Sequence, residues 1–263
     1  MYRPRIIPVL LLQNQYLVKS VHFKKHNYIG DPINAVKIFN ELKADELVFL
    51  DIEASAKNSK IDIDFVKQIS EEANMPFSIG GGIKTIEQIR EIISSGAERV
   101  IIGSKAIEDP LFVKRASETF GSSTISVCID YRKSLFKGLK VFYKNGKKKA
   151  SFSPLDFAKL MESYGAGEII VQSIDRDGRM EGYDLDVLKE ISSSVSIPIT
   201  ALGGASGYED FKNCYNETLV NGLAGGSVFV YQNKMKGVLI NYPENKRQVL
   251  NLIWNGETEK QKL

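Results

Sequence analysis

The apolar positions of this chain fall into short runs of strand length, separated by stretches in which apolar residues recur every three or four positions. The runs are Arg5 to Leu11, Glu46 to Asp51, Phe77 to Ile79, Arg99 to Ile102, Thr124 to Ile129, Glu168 to Gln172, Ile197 to Leu202, and the run that ends on Gly225-Gly226-Ser227. Runs that are apolar at successive positions and bounded by breakers read as parallel strands buried on both faces. Helices are predicted between them. One is capped by Asp31 with Pro32 in its first turn, one runs from about Asp62 to Ala73, and one carries Ile86, Ile89, Ile92 and Ile93 before stopping at Gly96. Others lie between Pro110 and Phe120, behind Ser153-Pro154, over Leu185 to Ile191, and from Tyr208. Strand and helix alternating eight times predicts an α/β fold, a single (β/α)8 TIM barrel over residues 1–263, a length that suits the roughly 250 residues typical of that closure.

Two stretches stand outside this rhythm. Gln13 to Gly30 is polar, carries Lys19, Lys24 and Lys25, and reads as a long loop of the functional or mobile kind. Asp130 to Ser153 holds eight basic residues around the runs Leu139 to Tyr143 and Ala150 to Phe152, joined through Asn145-Gly146, which is a hairpin signal. The basic residues spread over both strands, as on a solvated surface. Near the end, Val238 to Pro243 reads as extended, followed by a last helix ending near Trp254.

The chain also repeats itself. An offset of 122 lays Ile79-Gly80-Gly81-Gly82 on Ala201-Leu202-Gly203-Gly204, and Glu46 to Asp51 on Glu168 to Ser173. One residue more brings Ile101-Ile102-Gly103-Ser104 onto Ala224-Gly225-Gly226-Ser227. Such a long repeat with strand and helix contents predicts two duplicated half-barrels, about 1–122 and 123–263, rather than a solenoid. Each copy stops a buried strand on glycines ahead of a helix, where bare backbone amides can close around an anion. One such place could be only a tight turn; two at a fixed offset predict two phosphates.

Composition narrows the picture. With 43% hydrophobic and 25% charged residues and a net charge of +3, the chain is of ordinary globular composition and carries no electrostatic case for nucleic acid. No run approaches the roughly 20 apolar residues of a membrane span, and the N-terminus lacks a signal-peptide layout. Cys128 and Cys214 provide neither a disulfide framework nor metal spacing, and His22 and His26 lie at no strand end. The expectations are a reduced, cytoplasmic setting, no metal and no membrane.

On Arg5-Ile6-Ile7-Pro8, Gly30-Asp31-Pro32, the run Ala44 to Ile52, Gly80-Gly81-Gly82-Ile83, Gly165 to Ile169 and Ile174-Asp175-Arg176-Asp177-Gly178, the chain resembles, over nearly its whole length, the cyclase subunit of imidazole glycerol phosphate synthase. The resemblance implies a barrel that accepts ammonia from a class I glutaminase docked beneath it as a heterodimer. The ammonia then closes an imidazole ring on a small substrate carrying two phosphates, without a cofactor. It implies that Gly81, Gly82 and Ser104 face one phosphate, and that Gly178, Gly203, Gly204, Gly226 and Ser227 face the other. Arg5, Glu46, Arg99 and Glu168 match a ring of charges that gates ammonia at the barrel base, with arginine for the usual lysine at 99.

The resemblance also implies a pair of catalytic aspartates at the ends of strands one and five. Asp130 holds the second place, but Leu11 holds the first and cannot move a proton. Gly103 stands where the family usually has asparagine, whereas Lys19 and Asp177, associated with the active site, are present. A gate without the full acid/base pair resembles a branch that supplies ammonia to a separate sugar amidotransferase in surface-polysaccharide biosynthesis, and the tail from Gly237 to Pro243 is similar to that branch. Three functions remain open on the residues: this ammonia-supplying role, the histidine-pathway cyclase with Lys19, Asp51 or Asp177 covering for Leu11, and a noncatalytic scaffold that activates a glutaminase.

Overall fold

The computed structural model describes residues 3–54, 60–134, 138–232 and 237–243. Eight parallel strands close on themselves: β1 (Arg5–Gln13), β4 (Leu47–Asp51), β5 (Phe77–Gly80), β6 (Arg99–Ile102), β7 (Ile125–Ser134), β10 (Glu168–Ser173), β11 (Ile199–Leu202) and β12 (Gly222–Gly225). β7 pairs β10 from Glu168 opposite Ser126 to Ser173 opposite Tyr131, and this ladder joins the two halves on one side as β1 beside β12 joins them on the other. Every one of these strands except the ends of β1 and β7 is buried along most of its length, which is why the runs read as continuously apolar.

Helices cover the outside. α1 (Pro32–Glu41) starts at Asp31, whose side chain accepts from the Asn34 N–H at 2.8 Å, with Pro32 where its missing N–H costs nothing. α2 (Ile63–Glu72) is capped by Asp62, and α3 (Ile86–Ser94) opens with a Thr85/Gln88 capping box. Then come α4 (Ser104–Glu108), α5 (Leu111–Phe120), α6 (Pro154–Ser163), α7 (Leu185–Ser192), α8 (Tyr208–Glu217) and α9 (Ser227–Val230). α4 has no counterpart in the sequence reading; it is one short turn and leaves no periodicity to detect.

The stretch from Gln13 to Gly30, expected to be a loop, is a correction. It forms β2 (Tyr16–Val21), antiparallel to the extended end of β1, and β3 (Lys24–Gly30), antiparallel to β2. β3 is exposed over its first five residues, so it is polar and shows no alternation, and β2 is buried at four successive positions. The Asn145-Gly146 signal gave the right answer in the other half, where β7 runs on past Asp130 and pairs β8 (Gly138–Tyr143), which returns through β9 (Lys148–Lys149). Each half therefore extends its first strand beyond the barrel and folds a hairpin back over the mouth.

Val238 forms an isolated antiparallel bridge with Tyr231 and the rest of 237–243 is neither helix nor strand, where an extended segment was expected over Val238 to Pro243; the helix expected near Trp254 falls outside the described residues. The strap crosses beside α9, with the Leu239 and Asn241 N–H groups donating to the Val230 and Phe229 carbonyls. Tyr242 stacks on Phe229 at 5.7 Å and meets Phe39 of α1 edge-on at 6.4 Å. Its hydroxyl accepts from the Asp45 N–H and donates to the Ile6 carbonyl, both at 3.1 Å, fastening the strap to the starts of the first two barrel strands. Tyr242→Phe keeps the ring packing and removes the hydroxyl with these bonds. We expect it to lower unfolding stability by about 1–2 kcal/mol in a chemical denaturation curve, with an unchanged slope.

Candidate functional site

Inside the barrel, side chains two residues apart on each strand stack in layers. The bottom layer is charged. Arg5 donates to Glu46 at 2.5 Å and to Glu168 at 2.7 Å, Arg99 donates to Glu46 at 3.1 Å, and its other ion pair, with Glu168, measures 3.7 Å. Glu46 also accepts from the Ser78 hydroxyl at 2.9 Å, and Glu168 from the Thr200 hydroxyl. All four residues of the expected gate thus form one closed ring. Burial works against the Arg5 charge, but Glu168 and Glu46 outweigh it and hold the guanidinium above its ordinary value.

Above the ring the interior is apolar, built from Ile7, Val9, Val48, Ile101, Ile170, Leu202 and Ala224, with Cys128 among them. Polarity returns at the top. Cys128 donates its thiol to Asp130 Oδ1 at 3.5 Å and lies 3.8 Å from Gln172 Oε1. Burial pushes the Asp130 carboxyl up to about 7; the thiol contact opposes that shift and the charge of Asp177 adds to it.

The register settles what stands opposite. Asp130 pairs with Gln172, and Leu11 pairs with Leu50, which lies 122 positions before Gln172. Leu11 therefore occupies in the first half the place Asp130 occupies in the second. With Leu50 it turns one wall of the mouth apolar.

Two cavities open at this end, and Leu11, Ser20 and Gln172 line both. The first, about 320 Å³, is bounded by Asp51, Gly81, Gly82, Gly103, Ser104, Asp130 and Lys144 among others. Gly81 (φ 112°) and Gly82 (φ 66°) follow β5 in the left-handed region, and a methyl on Gly81 would come within 2.2 Å of the Asp51 carbonyl oxygen. Asp51 is committed locally, accepting from the Glu53 and Ala54 N–H groups at 2.9 and 3.0 Å.

The second cavity, about 30 Å³, is bounded by Lys19, Asp177, Gly178, Gly203, Gly204, Gly226 and Ser227 among others. Gly203 (φ 95°) and Gly204 (φ 109°) repeat the backbone of the first site, and a methyl on Gly204 would meet the Gly182 carbonyl at 2.1 Å. Every expected phosphate residue therefore lines one of two like-built hollows, with Gly178 in the second.

Lys19 is buried over the second hollow, its Nζ donating to the Val9 carbonyl at 2.5 Å. Burial lowers it to about 8, against the pull of Asp177. Asp177 is raised by burial, although the Ser20 hydroxyl at 2.7 Å and the Phe23 N–H at 3.2 Å stabilise its charge. Its carboxylate thus holds the hairpin that carries Lys19 as well as facing the hollow. Ser20, Cys128, Gln172 and Lys144 were not singled out as site residues in the sequence. Cys128 and Gln172 could have been found by counting back two from Asp130 and across to its neighbour strand, whereas Ser20 and Lys144 needed the hairpins to be placed. Among the described residues no group of three or more His, Cys, Asp or Glu could hold a metal ion, and no helix is long and apolar enough to cross a membrane.

The profile of the histidine biosynthesis protein family matches residues 5–236. A Leptospira interrogans protein with the provisional name imidazole glycerol phosphate synthase subunit HisF is 46% identical over 247 residues, covering 94% of this chain and 97% of its own length. A Vibrio vulnificus protein, provisionally named subunit hisF3, is 44% identical across 96% of this chain and 98% of its own. The imidazole glycerol phosphate synthase subunit HisF of Alkaliphilus metalliredigens is 38% identical across 88% and 92%.

A carboxyl that titrates near 4 when unfolded and about 7 when folded binds its proton more tightly in the folded state, so it makes stability fall as pH rises through that window. Asp130→Asn removes that dependence. Denaturation curves should show the variant equal to the parent near pH 4 and increasingly more stable towards pH 8, by at most about 4 kcal/mol. A constant difference across that range would mean Asp130 carries an ordinary pKa.

Proposed function

The chain belongs to the histidine biosynthesis protein family and is HisF-like, and from that membership we propose that it is an ammonia-accepting cyclase-type subunit of a glutamine amidotransferase, clamping a substrate by two phosphates. The observation that carries this reading is the pair of like-built hollows at the C-terminal ends of the strands, joined through Leu11, Ser20 and Gln172, with the Asp130 carboxyl on the wall of the first. Gly81, Gly82 and Ser104 would hold one phosphate, and Gly178, Gly203, Gly204, Gly226 and Ser227 the other, through backbone amides and hydroxyls in place of water. The partner is a class I glutaminase docked at the barrel base. There Arg5, Glu46, Arg99 and Glu168 would admit ammonia by parting one ion pair, after which an apolar interior leads a small neutral molecule to the first polar groups, Cys128, Gln172 and Asp130.

At the mouth, Asp130 and Lys19 titrate at about 7 and about 8, so each can hold or release a proton near neutral pH. Asp177 steadies the hairpin and the Lys19 charge. No cofactor or metal is part of this reading, the substrate is a small phosphorylated molecule, and the setting is cytoplasmic. The names of the relatives favour ring closure in histidine biosynthesis.

One observation favours a second reading. Leu11 stands at the counterpart of Asp130, where ring closure and bond cleavage would call for a second proton-transfer group facing the first. Losing one such group costs on the order of 10²- to 10⁴-fold. On that account the barrel conducts ammonia to an acceptor reaction carried out with a sugar amidotransferase in surface-polysaccharide biosynthesis.

The two readings separate in a steady-state cyclase assay on the histidine-pathway substrate with saturating ammonia. We expect the parent to be slower than the Leu11→Asp variant by about 10²-fold or more, and the gain to vanish in Leu11→Asp with Asp130→Asn. A parent that already turns over as fast as Leu11→Asp gives first place to the histidine pathway. Gel filtration with a class I glutaminase checks the partner: co-elution at micromolar concentration is expected, and separate elution would count against it.

A further inference from the structure

The two hairpins cross over. The β2–β3 hairpin of the first half reaches the second half, where the His22 N–H donates to the Asp177 carbonyl at 3.1 Å and Ser20 bonds the Asp177 side chain. The hairpin of the second half reaches the first: the Lys144 N–H donates to Ser104 Oγ at 3.0 Å, and Asn145 Nδ2 to the Ile52 carbonyl at 2.5 Å. The tip is built to stay there. Lys144, Asn145 and Gly146 take φ values of 53°, 55° and 71°, and Gly146 packs against Ile174 and Phe23.

The second hollow has its own cation in buried Lys19, carried by the hairpin that covers it. We infer that Lys144 plays the corresponding part for the first hollow, supplying the cation and aiming the Ser104 hydroxyl at a phosphate monoester bound there. The inference rests on the two-phosphate reading above. Ser104 Oγ is already an acceptor for the Lys144 N–H, so its own O–H is left to donate, and a phosphate oxygen in the hollow is the acceptor it suits. Gly103 leaves open space beside it, with nothing within 4 Å of where a Cβ would sit.

The Lys144 ammonium now pairs with Glu108 at 2.7 Å, both side chains being 38% exposed. Glu108 and Lys144 both line the cavity, so the carboxylate holds the cation at the rim until a ligand arrives. A phosphate monoester carries up to two negative charges and three acceptor oxygens against the carboxylate's single charge, and takes the cation from it. Lys105, also on the wall, shares Asp109 with Arg115, at 3.2 and 2.7 Å, and neither its backbone nor its ammonium bonds Ser104 in the way the Lys144 N–H does.

The test is calorimetric titration of inorganic phosphate into the full chain carrying Ser227→Ala, which weakens the second hollow so that the first is read. Circular dichroism verifies that each variant is folded. Adding Lys144→Ala should weaken binding about tenfold, and Glu108→Gln should tighten it about threefold. A pair that served only to stabilise the fold would move both variants in the same direction or neither, and either result overturns the inference. If Ser104→Ala weakens binding while Lys144→Ala does not, the inference falls and the two-phosphate reading stands. If phosphate binds neither the parent nor any variant, the two-phosphate reading fails and takes the inference with it.

Discussion

Two glutamates buried at the floor of a barrel would each cost several kcal/mol without partners, and the rest of the interior is arranged around their having them. Glu46 and Glu168 are paired by Arg5 and Arg99 in a ring that only one strand register permits. Because the side-chain period of a strand is two, a slip of one residue would turn the ring outward and with it every inward residue above. The phase that puts Arg5 inside also puts Leu11 inside, roughly 20 Å further along β1 at about 3.3 Å per residue. The phase that puts Glu168 inside puts Gln172 beside Asp130.

The same apolar shaft that separates floor from mouth sets the electrostatics of the mouth. Asp130 sits above Cys128 and Ile170, and burial of its carboxyl raises it, as burial lowers Lys19. Their shifts converge from opposite sides on neutral pH.

The barrel was legible because buried parallel strands have a loud signal: short, continuously apolar runs stopped by glycine, at a spacing that repeats. The glycine pairs showed in the repeat, while the charged ring at the base was expected only from the family resemblance; the structure brings each set of residues together. What the sequence hid are the parts made of polar chain. β3 exposes Lys24 to Tyr28 to water, so nothing in its composition separates it from a loop; its existence depends on pairing with β2, which is a fact about contacts and not about pattern. Ser20 and Lys144 owe their places to these hairpins. For Lys144, the Asn145-Gly146 turn was visible while the surface it lands on was not. Asp177 was expected at the active site from the resemblance, and only the hairpin shows it bonded to Ser20 and Phe23.

The crossing of the hairpins has a consequence for how the chain divides. Cut between α5 and β7, it would yield two pieces of like architecture, each having lost part of the wall of its hollow to the other: Lys144 and Asn145 from the first hollow, Lys19 and Ser20 from the second. Neither piece could finish a site alone, however well it folded. Two copies of a single piece, set face to face, could finish both. An assembly built this way has its completeness in the exchange between halves, so a change in either hairpin is felt in the other half's hollow.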